Sequence, residues 1–200
     1  MIKNVILDMG NVLINYNPQI VLDICCDSEA EKTVIRKELF GGQEWVWGDE
    51  GRIKDCELYD LVKQHVPQEY WTALKKCCDQ WDICMQPIDG AKEFCEYVKS
   101  HGYHIYVLSN ANDRFYQYFD RLLPLDFFDG VVVSCDVRMI KPDERIYRHI
   151  LDKYNMDALE CLFIDDRPDN VNAAKAVGMH TYQFRNNYEE MIQKFLKSNH

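Results

Sequence analysis

Val5-Ile6-Leu7-Asp8 is a short apolar run closed by a carboxylate. A continuous apolar run of that length, with no polar residue alternating through it, fits a strand covered on both faces. Such strands belong to parallel sheets. The same form recurs in Ile105-Tyr106-Val107-Leu108-Ser109, Val131-Val132-Val133-Ser134 and Leu162-Phe163-Ile164-Asp165, with a fainter fifth in Thr181-Tyr182-Gln183-Phe184. Helical stripes lie between these runs. Ala91, Phe94, Cys95 and Val98 share one face, with Asp89 placed to cap the start and Gly102 to stop the end. Ile146, Ile150 and Tyr154 form a second stripe; Val171, Ala174 and Val177 form a third, closed by Gly178. Strand alternating with helix predicts an α/β fold built on an open, doubly wound parallel sheet.

Residues 17–86 break the alternation. They carry no convincing strand and several helical stripes: Ile20, Val21, Ile24 and Cys25; Val34, Ile35 and Leu39; Leu58, Leu61 and Val62; Tyr70, Leu74 and Cys77. That is too much chain for one crossover. The expected organisation is a core from 1–16 and 87–200 with a helical subdomain inserted at 17–86, Pro18 and Pro87 marking its borders.

Composition narrows the function. Of 200 residues, 47% are hydrophobic, enough for a packed core, so disorder is excluded. Lys plus Arg total 23 and Asp plus Glu 33, a formal charge of −10, which disfavours nucleic acid and anionic membrane as partners. No apolar run is long enough to cross a bilayer, and the run after Met1 is too short for a signal segment. Nine cysteines is an odd number, and no C-x-x-C occurs, so a disulfide framework and a zinc knuckle are both poor readings. Reduced thiols in a cytoplasmic protein are expected. None of the six histidines has an i, i+4 partner, and no P-loop, G-x-S-x-G or G-x-G-x-x-G is present.

In an open parallel sheet, ligands bind beyond the carboxyl ends of the strands. Three runs end there in polar chemistry: Asp8, Ser109-Asn110 and Asp165-Asp166. Lys141 follows shortly after the 131–134 run. A parallel sheet would bring three carboxylates, a hydroxyl and a lysine into one crevice. Close carboxylates repel unless a cation lies among them, and all-oxygen donors suit Mg²⁺. A metal, a lysine and a hydroxyl around one carboxylate make a phosphate site in which that carboxylate can attack phosphorus in line. Gly10 lets the turn after Asp8 approach closely.

These residues resemble a known family. Asp8-Met9-Gly10-Asn11-Val12, Leu108-Ser109-Asn110, Lys141-Pro142 and Ile164-Asp165-Asp166-Arg167-Pro168-Asp169-Asn170 follow the four motifs of the haloacid dehalogenase-like hydrolase superfamily, in order and over essentially the whole chain. The insertion resembles its helical-cap subclass, on a Rossmann-like core. The form Asp-x-Gly-Asn-Val is most similar to the branch of glucose-1-phosphate phosphatases and the phosphatase domain of some epoxide hydrolases. The resemblance implies that Asp8 is a nucleophile forming an aspartyl phosphate. It implies Mg²⁺ held by Asp8, the main-chain carbonyl of Gly10 and Asp166, with Asp165 and Asp169 in support. Ser109, Asn110, Lys141 and Gly10 would hold the phosphate.

One departure matters. Most phosphatases of the superfamily carry a second Asp two residues after the nucleophile as general acid and base; here Gly10 stands there. Either the leaving group needs little protonation, as in a sugar 1-phosphate, or another acid serves: Asp169, a cap residue or metal-bound water. Trp45 and Trp47 are candidates to stack on a sugar face, with plain packing as the competing reading, and Glu44, Asp49 and Arg52 are candidates for sugar hydroxyls. The expectation is a Mg²⁺-dependent phosphatase acting on small phosphorylated metabolites, a hexose 1-phosphate foremost, as a monomer or dimer. The rivals are a metal-independent dehalogenase and a catalytically weak phosphate-binding regulator. A receiver-like signalling domain ranks last, because it would place its paired acids near the amino end.

Overall fold

A computed structural model describes residues 1–196, and side chains as far as 194. The chain opens with β1 (Asn4–Leu7) and β2 (Ile14–Tyr16). Helices follow: α1 (Gln19–Cys25), α2 (Glu29–Ile35), α3 (Gln43–Asp49), α4 (Leu58–Val62) and α5 (Trp71–Gln80). After β3 (Met85–Pro87) the alternation begins with α6 (Ala91–Ser100), β4 (His104–Ser109), α7 (Phe115–Leu122) and β5 (Gly130–Val133). It continues with α8 (Ser134–Val137), α9 (Glu144–Lys153), β6 (Cys161–Asp165), α10 (Pro168–Ala176), β7 (His180–Gln183) and α11 (Tyr188–Met191).

The five long-range strands form one parallel sheet in the order β5-β4-β1-β6-β7. β1 lies in the middle, with Val5 opposite Ile105 on one side and Leu162 on the other. Successive side chains face opposite ways along a strand. Leu7, Ile105, Val107, Leu162 and Ile164 therefore pack with Phe94, Phe115 and Phe119 on one face. Ile6, Tyr106, Leu108 and Phe163 pack with Ile146, Tyr147, Ile150 and Ala174 on the other. Helices on both faces explain why these strands read as unbroken apolar runs.

Three local expectations are corrected. Ile24 is 65% exposed, so the buried stripe of α1 is Val21, Leu22 and Cys25. Asp89 does not cap α6. Gly90 holds that place at φ +84°, a left-handed turn that suits glycine, with Tyr188 packed against it. Met85 and Gln86, within the stretch read as strandless, pair antiparallel with Tyr16 and Asn15. That ribbon lies where the chain leaves and re-enters the sheet. The helices between have their own apolar cluster, including Leu22, Ile35, Leu39, Val62, Leu74 and Cys77.

All nine cysteines are free thiols. Among the described residues, no helix is long and apolar enough to cross a membrane.

Candidate active site

β1, β4 and β6 end side by side, so Asp8, Ser109 and Asp165 emerge at one edge of the sheet. Lys141 reaches that edge from the loop between α8 and α9. Its Nζ lies 2.7 Å from Asp8 Oδ1 and 2.8 Å from Asp165 Oδ2, and it donates to the Leu108 carbonyl at 2.8 Å. The lysine is 3% exposed, Asp8 8% and Asp165 0%, so this is an ion triad inside the protein. Burial would lower the lysine's pKa, but the two carboxylates outweigh it and hold it above its ordinary range. Burial raises the Asp8 carboxyl, which the Lys141 charge opposes.

Each member of the triad is fixed by neighbours. Asn110 grips the Lys141 backbone at both ends, accepting from its N–H at 2.8 Å and donating to its carbonyl at 2.9 Å. The Lys141-Pro142 peptide is cis. Asn170 Nδ2 donates to both oxygens of Asp165 at 3.0 Å, and the Arg167 N–H adds a third bond at 2.9 Å. The Met9 N–H donates to Asp8 at 2.7 Å. The turn then folds back on Met9. Asn11, in a left-handed conformation at φ +55° that asparagine tolerates, reaches across to donate to Asp166 at 3.1 Å.

One oxygen from each of Asp8, Asp165 and Asp166 lies within 4.8 Å of the others. Three negative charges against one lysine leave two uncompensated. Arg167 is nearby, but among the described residues it forms no ion pair with them. Two uncompensated charges and only oxygen donors are what a divalent hard cation such as Mg²⁺ requires, so the residues fit one. Asp165 is spent on Lys141 and Asn170. Asp8 and Asp166, with Gly10 beside them in the cavity lining, are the residues that would hold such an ion.

A cavity of about 440 Å³ opens above this edge. Its floor includes Asp8, Gly10, Asn110, Lys141, Asp166 and Asn170; its far wall includes Tyr16, Trp45, Asp49 and Trp81. The ring of Trp45 stands 6.0 Å from Tyr16 and 5.0 Å from Trp81, and Trp81 stands 5.5 Å from Tyr118. These rings form a continuous apolar wall. The Tyr16 hydroxyl is buried with no partner among the described residues.

The sequence candidates separate accordingly. Asp8, Lys141, Asp165 and Asp166 meet. Asn110 lies on the cavity wall, but its amide is spent on positioning Lys141. Ser109 is buried behind the wall, and its hydroxyl has no partner among the described residues. Asp169 is exposed and off the wall; the next residue, Asn170, does the supporting. Trp45 faces the cavity and Trp47 does not. Glu44 pairs with His65 and Arg52 with Glu50, which leaves Asp49 facing the space. Asn11 and Asn170 were missed as site residues, because an asparagine in a turn or helix carries no periodic signal.

Burial, with Glu50 adding to it, pushes the Asp49 carboxyl up to about 7. An acid whose folded-state pKa is raised costs stability as pH climbs from its ordinary value of 3.8 through about 7, and the full cost persists above. Asp49→Asn removes that cost. The variant is expected to melt at least about 2–4 °C above the unmodified protein at pH 8, with the gap closing toward pH 4. Thermal unfolding across pH checks it; a gap independent of pH contradicts the assignment.

Comparison with known proteins bears on this geometry. The haloacid dehalogenase-like hydrolase family model matches residues 2–178. The chain is 30% identical over 179 residues to the sesquiterpene phosphatase astK of Aspergillus oryzae, covering 88% of this chain and 87% of that protein. Of several other curated relatives the chain spans less than half the length. A predicted HAD-like hydrolase of Porphyromonas gingivalis superposes with a TM-score of 0.71 at 28% identity, covering 98% of each chain. The HAD family enzyme bt-2542 of Bacteroides thetaiotaomicron, an Asp12Ala mutant in complex with magnesium and inorganic phosphate, shares the fold with a TM-score of 0.76. It is 20% identical and covers 96% of this chain and 99% of that one.

Proposed function

Because the chain belongs to the haloacid dehalogenase-like hydrolase family, we propose that it is a Mg²⁺-dependent phosphomonoesterase working through an aspartyl phosphate on Asp8. The observation that carries this is the charge pattern at the sheet edge: a buried lysine between two carboxylates, with a third carboxylate leaving room for a divalent ion. Asp8 attacks phosphorus, the alcohol leaves, and water hydrolyses the intermediate. Lys141 orients Asp8 and offers positive charge to the phosphoryl oxygens. When bound by Asp8, Asp166 and the Gly10 carbonyl, Mg²⁺ supplies further positive charge to those oxygens and favours the ionised form of Asp8. A metal-independent dehalogenase gains nothing from the additional carboxylate of Asp166.

Residues 17–86 act, in this reading, as a cap that excludes bulk water and contacts the organic part of the substrate. Small sugar phosphates, a hexose 1-phosphate foremost, remain the proposed substrates, their C–H faces set against Trp45 and Tyr16. The apolar wall favours a second reading, a monophosphate of an apolar alcohol, which the similarity to a sesquiterpene phosphatase also supports. Phosphate release from hexose 1-phosphates and from prenyl monophosphates, with Mg²⁺ and then with chelator, separates the readings.

Asn11 orients Asp166 without being a ligand. Asn11→Ala is expected to raise the Mg²⁺ concentration for half-maximal activity about 10-fold, with the rate at saturating Mg²⁺ largely kept. A titration with unchanged midpoint contradicts the assignment of Asp166.

A further inference from the structure

Gly10 leaves the reaction without a side chain to protonate the departing alcohol. The space there is open: a Cβ built on Gly10 meets nothing within 4 Å. For a leaving group that needs a proton, a side-chain donor has to come from elsewhere in the cavity. Its acidic wall residues are Asp8, Asp166 and Asp49. The first two belong to the nucleophile and the metal site, and Asp169 lies outside.

Asp49 ends α3 and lines the cavity. It is held in place by its backbone: its carbonyl accepts from the Ser134 hydroxyl at 2.5 Å. Gly51, at φ +67°, runs so close to α8 that a Cβ there would lie 2.1 Å from the Cys135 carbonyl oxygen. Its carboxyl has no hydrogen bond or ion pair among the described residues. The titratable groups whose fields it shares are Glu50 just past the end of α3, Tyr16 on β2, Tyr118 on α7 and Cys135 on α8. None of them is a cation, so nothing there draws the proton off. The Tyr118 hydroxyl lies in the fields of both Asp49 and Asp8, and all three residues line the same cavity.

We propose that Asp49 is the general acid and base of the reaction, taking from the cap side the role that Gly10 cannot fill; this rests on the phosphatase reading above. In the first step an Asp8 oxygen bonds to phosphorus, the bond from phosphorus to the ester oxygen breaks, and its electron pair takes the proton of Asp49. In the second, Asp49 as carboxylate takes a proton from water while the water oxygen bonds to phosphorus. The bond to Asp8 then breaks, restoring the Asp8 carboxylate and the Asp49 acid and releasing inorganic phosphate.

Leaving groups of different basicity test this. The measurement is kcat/KM with Mg²⁺ for an alkyl phosphate and for 4-nitrophenyl phosphate, whose leaving group needs no proton. Asp49→Asn is expected to lose about 10²–10³-fold on the alkyl ester and less than about 10-fold on the nitrophenyl ester. It should also lose the alkaline fall of the pH profile. Asp49→Glu keeps part of the alkyl activity, and adding Gly10→Asp to Asp49→Asn restores it at least about 10-fold. Equal losses on both esters, or no loss on either, overturn the assignment while leaving the phosphatase reading intact. Absent or metal-independent phosphate release by the unmodified protein overturns both.

Discussion

Asp8→Asn is expected to reduce phosphate release by about 10⁴-fold or more, on every substrate the unmodified protein accepts. The substitution keeps shape and keeps an oxygen for the Met9 N–H, so the turn after β1 stays in place. What it removes is the anion that attacks phosphorus. The loss should fall on kcat with fast and slow leaving groups alike, which distinguishes it from the graded loss at Asp49. Acid-quenched unmodified protein, mixed with a labelled substrate, should retain phosphate on the chain, and the variant none. Retained turnover in the variant would remove the nucleophile from the reading.

Lys141→Met carries the largest expected effect on stability. Its ammonium is the only cation within ion-pair distance of Asp8 and Asp165 among the described residues. Methionine fills much of the volume and supplies no charge, leaving two carboxylates facing each other in the interior. Breaking a buried pair this way costs about 3–5 kcal/mol. For a chain of this size that lowers the melting temperature by roughly 10 °C. The sign with pH follows. Without the lysine, burial and the Asp165 charge raise the Asp8 carboxyl unopposed, so the defect is greatest at neutral and alkaline pH and shrinks as acid neutralises it. Thermal unfolding in chelator at pH 5 and pH 8 measures it. An equal loss at both values would mean that packing, and not charge, is what the lysine supplies.

The sheet and much of its edge were legible because burial on both faces leaves a plain mark. Val5-Ile6-Leu7 and Leu162-Phe163-Ile164 admit no polar residue, so the carboxylates that end them stand out. The Lys141 side chain crosses a loop to reach its partners, and only the order of motifs pointed to it. The paired strands Ile14–Tyr16 and Met85–Pro87 were illegible. Each is three residues long, one ends in proline, and the contact that makes them strands lies some seventy positions away. Asn170 and Asn11 were hidden for another reason. Their value lies in which carboxylate each amide touches, and that is a property of the assembled edge. Asp49 was visible as a polar residue near two tryptophans. Its isolation from any partner, which sets its chemistry apart from Glu44 and Arg52, belongs to the fold alone.

The central place of β1 has a consequence for how the protein is made. β1 precedes both of its neighbours in the chain, residues 104–107 and 161–164. Until the second of these is synthesised, Val5, Ile6 and Leu7 have at least one bare edge open to other chains. Biogenesis of this molecule is thus exposed to chaperone capture and aggregation over the interval between synthesis of β1 and of β6, and the hazard ends when β6 docks.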